Sequence, residues 1–138
     1  MIKLVLLLAL SASAAAPAKE KKPVMEWKGQ NGGPAQPGHK LVSDAKGWEA
    51  LWRVIGQDAP ALNLKTHAAV AVFLGEKPTG GWTAVFEEPK LKDGDLLVVY
   101  TIRAPKGFTT QAFTAPYIVR AFPKPAKGKI QVMEAKAE

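Results

Sequence analysis

Seven consecutive apolar residues, 68–74, constrain the fold of this chain more than any other feature. A strand with one face in water alternates apolar and polar side chains, whereas a strand covered on both faces is apolar throughout. The run is rich in valine and alanine and is followed by Gly75, as expected at the end of a strand. We therefore expect residues 68–74 to form a strand that is buried on both faces.

Several other segments have the composition of β-strands. Residues 96–103 form the strongest of these, because they are rich in β-branched and aromatic side chains. The other predicted strands are residues 24–28, 40–42, 83–87, 117–122 and 129–133. Residues 91–95 are predicted to form a turn, and residues 124–128 a hairpin that joins the last two strands. Short strands separated by proline and glycine predict a mainly β fold, either a β-sandwich or a barrel-like antiparallel sheet.

One amphipathic helix is predicted near the amino-terminal end of the domain, over about residues 44–56. Ser43 or Asp44 is suited to cap its first turn, and Gly56 is suited to the left-handed residue that ends a helix. The apolar residues that share one helix face are Trp48, Leu51, Trp52 and Ile55. We expect the helix to pack on the sheet, with both tryptophans in the core.

Residues 1–16 have the pattern of a secretory signal peptide. Lys3 gives the positive start, residues 4–10 are an unbroken apolar run, and the next six residues are small. Cleavage is expected after Ala14 or Ala15. The apolar run is much shorter than the roughly 20 residues that span a bilayer, so we do not expect a transmembrane segment.

The chain contains no cysteine. Neither disulfides nor the cysteine-linked lipid anchor of bacterial lipoproteins is therefore expected. An exported chain without disulfides fits the bacterial periplasm or the extracellular space. We expect residues 17–25 to be a disordered leader and residues 26–138 to be a single β-rich domain.

The net charge of +7 comes from lysines that are scattered along the chain. A protein that reads nucleic acid has a focused basic patch, often with interleaved aromatic side chains. The sequence has no such segment, and export also argues against this function. We expect no nucleic-acid partner.

The side chains needed for enzyme chemistry are few. Beyond the predicted signal peptide the chain has a single serine, Ser43, and its two histidines, His39 and His67, have no partner at metal-ligand spacing. Glu87 and Glu88 are adjacent, so in a strand they would point to opposite faces. We expect no catalytic activity, no metal and no cofactor.

The segment at residues 75–82 is unusual for a connection between two strands. Most hairpin loops have two to five residues, whereas this one contains three glycines, Pro78 and a final Trp82. Such a loop is shaped, and loops on a rigid β scaffold often carry binding residues. Alternatively, the segment is a bulged hairpin in which Trp82 is an ordinary core residue.

Two motifs together suggest a family. Residues 75–82 read Gly-x-x-Pro-Thr-Gly-Gly-Trp, and residues 110–117 read Thr-Gln-Ala-x-Thr-x-Pro-Tyr. With the Trp-x-x-Leu-Trp pattern of residues 48–52, the chain resembles the PrcB-type domain over roughly residues 27–133. That family is described as a protease complex subunit or its carboxy-terminal domain. Trp82 stands where the family more often has tyrosine.

The resemblance implies an exported, non-catalytic partner of a secreted protease, which it stabilises or helps to mature. Trp82 and Tyr117 would be aromatic anchors of the interface. The predicted partner-binding residues are Pro78, Thr79, Gly80, Gly81, Trp82, Gln111, Thr114, Pro116 and Tyr117.

Two other functions fit parts of the sequence. The Pro-Thr-Gly-Gly-Trp segment is also similar to the Asn-Pro-Thr-Thr-Gly loop of chagasin-like cysteine-protease inhibitors, with Lys77 in place of the asparagine and Gly80 in place of the second threonine. Those inhibitors are β-sandwiches that insert loops into a peptidase cleft. A structural or ligand-binding envelope protein unrelated to proteases is the third hypothesis, and it requires a pocket or an exposed apolar groove.

Overall fold

The computed structural model describes residues 25–136, which form two β-sheets and one helix. The predicted signal peptide and most of the predicted leader lie outside the described residues. The elements in chain order are β1 (Glu26–Gly29), β2 (Gly38–Val42), α1 (Ala45–Ile55), β3 (His67–Phe73), β4 (Thr83–Phe86), β5 (Lys90–Lys92), β6 (Asp95–Arg103), β7 (Tyr117–Pro123) and β8 (Ile130–Ala135).

The strands are divided between two sheets. The first sheet has the order β1-β7-β3-β2, and all of its pairs are antiparallel. In the second sheet β6 pairs antiparallel with β4 and β5, and parallel with β8. The predicted mainly β, sandwich-like fold is therefore confirmed, and the strands of the described residues do not close into a barrel.

The central strand β3 is covered on both faces, as its unbroken apolar composition predicted. Ala69 and Ala71 belong to the apolar cluster beneath the helix. Val70 and Val72 belong to the cluster between the two sheets. The protein thus has three layers, with the first sheet between α1 and the second sheet.

Helix α1 begins and ends as the sequence predicted. The Asp44 side chain accepts a hydrogen bond from the Gly47 backbone N–H at 2.7 Å. Gly56 has φ 91° and donates its N–H to the Trp52 carbonyl. The four predicted core residues of the helix are all buried. No helix among the described residues has the length and apolar character needed to cross a bilayer.

The hairpin predicted over residues 124–128 is wrong. β7 lies in the first sheet, whereas β8 pairs parallel with β6 in the second. Residues 124–129, which we call the crossover, therefore pass from one sheet to the other. Proline and glycine mark a change of direction, but they do not specify which strand the chain pairs with next.

The turn predicted over residues 91–95 is also shorter than expected. Leu91 pairs with Leu96, so that most of this segment is strand. Only Asp93 and Gly94 form the turn, with φ values of 53° and 89°. An Asp-Gly pair with two positive φ values is the preferred two-residue connection of an antiparallel hairpin. The ends of the other predicted strands differ from the observed ones by at most two residues.

Candidate protein-binding site

The loops at residues 75–82 and 104–116, which we call the loop pair, lie side by side at one end of the sheets. Lys77 and Thr114 form an isolated antiparallel bridge between them. Each of these residues donates its backbone N–H to the carbonyl of the other at 2.8 Å. The two sequence motifs, more than 25 positions apart in the chain, are thus one continuous structure.

Further hydrogen bonds hold the loop pair together. The Gly80 backbone N–H donates to the Thr110 carbonyl at 3.0 Å. The Thr114 hydroxyl donates to the Thr79 carbonyl at 2.9 Å. Because these bonds form within the protein, the loop pair has little conformational freedom left to lose on binding.

Gln30, in the connection between β1 and β2, ties a third segment to the loop pair. Its side-chain oxygen accepts from the Gly81 N–H, and its side-chain nitrogen donates to the Trp82 carbonyl, both at 2.9 Å. Its backbone carbonyl accepts from the Ala115 N–H at 2.9 Å. Gln30 was not predicted as a site residue, because its hydrogen-bond partners are more than 50 residues away and its neighbouring residues do not indicate them.

Gly81 is required by both its conformation and its neighbour. Its φ is 91°, a left-handed value that residues with a Cβ rarely adopt. A Cβ at this position would also lie 2.6 Å from the Cβ of Pro105. The close contact between Gly81 and Pro105 is a further connection between the two loops.

Trp82 is half-buried, so neither of the two sequence interpretations is complete. One side of its ring packs against the cluster between the sheets. The Lys77 ammonium lies 4.3 Å from the ring centroid, within cation–π distance. Trp82 also lines a cleft of about 280 Å³ with Lys28 and Ile118. The indole therefore supports the fold and still presents surface to solvent.

The predicted partner-binding residues differ in exposure. Pro78, Gly81 and Gln111 are exposed, and Thr79 and Trp82 are half-buried. The buried ones are Gly80, Thr114, Pro116 and Tyr117. In this conformation the buried residues shape the loop pair but cannot offer side-chain surface to a partner.

Tyr117 does not have the position of an interface anchor. It is only 3% exposed and lies on β7. Its ring packs edge-on against Trp52, with centroids 6.0 Å apart, and its hydroxyl accepts a hydrogen bond from the Gln57 side chain at 3.2 Å. Its contacts are with the helix layer, so its role is to position the strand that follows the loop.

Two phenylalanines that were not predicted as site residues are the exposed large apolar side chains of the loop pair. Phe108 is fully exposed, and Phe113 is 73% exposed. A single exposed apolar side chain is common on protein surfaces, whereas several within one loop structure are a candidate contact surface. Their exposure could have been predicted from their position in a segment rich in Gly, Thr and Pro, because such a segment rarely contributes to a core.

A cluster of titratable side chains lies away from the loop pair. The His39 ring nitrogen Nδ1 and the Tyr100 hydroxyl are 2.9 Å apart. Burial raises the pKa of Tyr100, and the neighbouring Glu134 carboxylate raises it further. A raised pKa keeps the phenol protonated, the reverse of what an activated nucleophile needs. Residues 25–136 contain no group of three His, Asp or Glu side chains placed to hold a metal ion.

A comparison with known protein families finds a match for the segment that contains both loops. A family model described as PrcB C-terminal matches residues 68–123. The resemblance predicted from the two motifs is therefore confirmed over this segment. No curated protein and no solved structure matches the chain.

The segment that matches this family model extends from β3 to the end of β7 and includes the whole loop pair. Gln30, α1 and β8 lie outside it. The match suggests a domain associated with a protease complex.

Proposed function

We propose that this protein is an exported, non-catalytic accessory subunit that docks onto a secreted protease through the loop pair. The observation that carries the proposal is the Lys77–Thr114 bridge, which joins two motifs of the segment that matches the PrcB C-terminal model. The predicted signal peptide supports a periplasmic or extracellular location.

The apolar side chains of the loop pair would supply most of the binding energy. Phe108, Phe113 and Pro78 are exposed, and Trp82 is half-exposed. Aromatic side chains on a rigid backbone are frequent hot spots of protein interfaces. A docking surface of this kind requires an apolar depression on the partner that receives one or both phenylalanines.

The backbone contacts of the loop at residues 75–82 favour docking over insertion into a protease cleft. The Thr79 carbonyl and the Gly80 N–H are both bonded to the neighbouring loop. An inhibitory loop that enters a cleft needs to project its backbone toward the peptidase. The activity of the partner in the complex separates these two functions.

Affinity capture tests the proposal. The protein from Pro17 to Glu138, immobilised through its amino terminus, is incubated with secreted and envelope proteins of its own host, and retained proteins are identified by mass spectrometry. The test variant is Phe108→Ser with Phe113→Ser. The matched control is Leu91→Ser, which removes a leucine that is 71% exposed outside the loop pair. Cooperative thermal unfolding of all proteins is verified first.

We expect a peptidase to be retained by the wild type and by Leu91→Ser, and lost by the double variant. The captured peptidase is then assayed with equimolar protein, and unchanged or raised activity is expected for an accessory subunit. Stoichiometric loss of activity would show an inhibitor instead. The docking proposal fails if no peptidase is enriched, or if the double variant retains it as well as the wild type does.

A further inference from the structure

An open cavity of about 440 Å³ lies at the end of the molecule opposite the loop pair. Leu41 and Ala68 of the first sheet and Ile130 of the second form its apolar walls. Leu41 pairs with Val70, which belongs to the cluster between the sheets. Leu41 therefore faces the gap between the sheets, and yet it is 41% exposed. The two sheets leave an apolar opening here that nothing in residues 25–136 covers.

The crossover, residues 124–129, forms a fixed wall of this cavity. The Lys124 backbone N–H donates to the Thr66 carbonyl at 2.9 Å. At the other end the Lys129 backbone N–H donates to Asp95 Oδ1 at 2.9 Å. Gly128 lies so close to the Gly94 carbonyl that no Cβ would fit. The cavity is thus held open by the fold, as ligand-binding sites usually are.

The polar side of the cavity is cationic. Lys124 and Lys129 line it, and no acidic residue does. The Lys124 ammonium donates to the Leu64 carbonyl at 2.6 Å and to the Ser43 carbonyl at 3.0 Å. An ammonium has three N–H donors, so one remains available for a ligand.

In the part of the chain that the structure describes, neither of these two lysines forms a salt bridge. Among residues 25–136, neither Lys124 nor Lys129 has a carboxylate oxygen within 4.0 Å of its ammonium. Asp95, beside the crossover, uses its oxygens to accept from the Lys129 backbone N–H and from the Gln131 side chain. These hydrogen bonds lower the pKa of Asp95, and the Lys129 ammonium also acts on this carboxylate and lowers its pKa further, so the positive charge beside the apolar walls is compensated only in part.

We propose that this cavity binds a small amphiphile that has a carboxylate headgroup and an unbranched apolar chain of medium length. The chain lies between Leu41 and Ile130, and the carboxylate takes the N–H donors of Lys124 and Lys129. A volume of about 440 Å³ is within the range of small-molecule sites. The lining contains no arginine, whose planar fork is the usual partner of a phosphate group, and two lysines suffice for one negative charge.

Binding is measured on the purified protein after processing of its amino terminus. Dansyl-undecanoic acid is the fluorescent probe, titrated below its micelle concentration, and decanoate is the competitor. We expect probe fluorescence to rise on binding and decanoate to reverse the rise. Decanol and decyltrimethylammonium have the same chain with a neutral or positive head, and we expect each to compete at least tenfold more weakly, the factor that roughly 1.4 kcal/mol gives.

Three variants locate the site. Leu41→Asp places a carboxylate on the exposed apolar wall and is expected to abolish probe binding. Lys129→Gln is expected to weaken decanoate about tenfold while leaving decanol unchanged, since only the charged contact is lost. Lys127→Gln removes a lysine of the same crossover that does not line the cavity, and it is expected to bind like the wild type. Lys124 is left intact, because it also satisfies two backbone carbonyls.

Thermal unfolding first establishes that every variant is folded. The proposal is overturned if decanoate does not displace the probe, if decanol competes as well as decanoate, or if Leu41→Asp and Lys129→Gln bind like Lys127→Gln.

Discussion

At the scale of single residues, the candidate site depends on side chains that support the loop pair rather than on those that face solvent. Gln30, Thr114 and Gly81 each connect segments that are distant in the chain. Phe108 and Phe113 make the apolar surface. Substitution in either group should reduce partner binding, but only substitution of the three supporting residues should also change the loop backbone.

Replacement of Gly81 by alanine tests whether its contact with Pro105 is needed. Gly56 has the same φ, 91°, but open space where a Cβ would lie, so Gly56→Ala measures the cost of the backbone conformation alone. That cost is about 1 kcal/mol. We expect Gly81→Ala to lower the free energy of unfolding by at least twice as much, measured by urea denaturation. Equal losses would show that the loops adjust to the added methyl group at no cost.

Replacement of Gln30 by methionine removes two hydrogen bonds and keeps the length of the side chain. The Gly81 N–H then loses its acceptor. We expect its amide exchange with deuterium to become at least tenfold faster, with a loss of about 1 kcal/mol in global stability. Gln111→Met, at an exposed position of the loop pair, is the control. Unchanged exchange at Gly81 would mean that Gln30 does not hold the loop.

Replacement of Trp82 by alanine separates its two roles. The ring is half-buried against the cluster between the sheets. We expect a loss of about 1–3 kcal/mol with unfolding still cooperative, less than for a fully buried tryptophan. We also expect capture of the partner to fall. Trp82→Phe, which keeps an aromatic ring, should restore most of both properties, and a variant that binds normally would make Trp82 a core residue only.

Sequence patterns predicted individual residues well where the cause is local. The helix cap at Asp44 and the left-handed Gly56 depend on neighbours within a turn. The motif that contains Tyr117 gives no information about which layer its ring faces, and the structure places that ring against Trp52. The exposure of Phe108 likewise depends on how its loop packs against the rest of the fold, and residue composition does not specify that packing.

At the scale of elements, the crossover is the part of the fold that sequence reasoning got wrong. Hairpin prediction assumes that consecutive strands are neighbours, and here β8 instead pairs with β6, across more than 25 residues of chain. The decisive contacts are Gly128 against Gly94 and the Asp95 carboxylate on Lys129. Neither is visible in a local window of sequence.

The Asp95 contact should make stability depend on pH. The backbone N–H of Lys129, and next the Gln131 side chain, lower the pKa of Asp95 below its ordinary value of 3.8. Because the folded pKa is the lower one, the stabilisation is present above pH 3.8 and is lost as the pH falls through the folded pKa.

Asp95→Asn removes this dependence. We expect the difference in free energy of unfolding between the wild type and Asp95→Asn to be largest near neutral pH and to shrink on acidification below pH 3.8, measured by urea denaturation across the pH range. Asp93→Asn removes the same charge from the turn next to Asp95 and controls for net charge. A difference that stays constant with pH would contradict the assignment.

At the scale of the whole molecule, the two proposed sites lie at opposite ends of the same strands. β3 and β7 lead from the cavity at one end to the loop pair at the other. Each loop has a motif that is visible in the sequence, but only the antiparallel pairing of these strands brings the loops together. Their adjacency is a property of the topology.

The separation of the sites leads us to expect independent binding. Two ligands affect each other only if each changes the relative stability of two states of the protein. Paired, buried strands are a rigid connection, and we expect saturating decanoate to leave partner capture unchanged within twofold. The same amount of retained peptidase with and without decanoate checks this. A larger change would show that the two ends are coupled.

The parallel pairing of β8 also decides how the protein is best attached to a surface or to a fusion partner. Ala135 pairs with Thr101, just before the loop at residues 104–116, so a tag joined directly to the end of β8 would lie beside the docking surface. β1 runs antiparallel to β7, with Gly29 opposite Tyr117 and Glu26 opposite Arg120, so β1 begins on the side away from the loop pair. A bead, dye or carrier domain placed ahead of β1 therefore leaves the phenylalanines facing outward, whereas the same label after β8 would shield them.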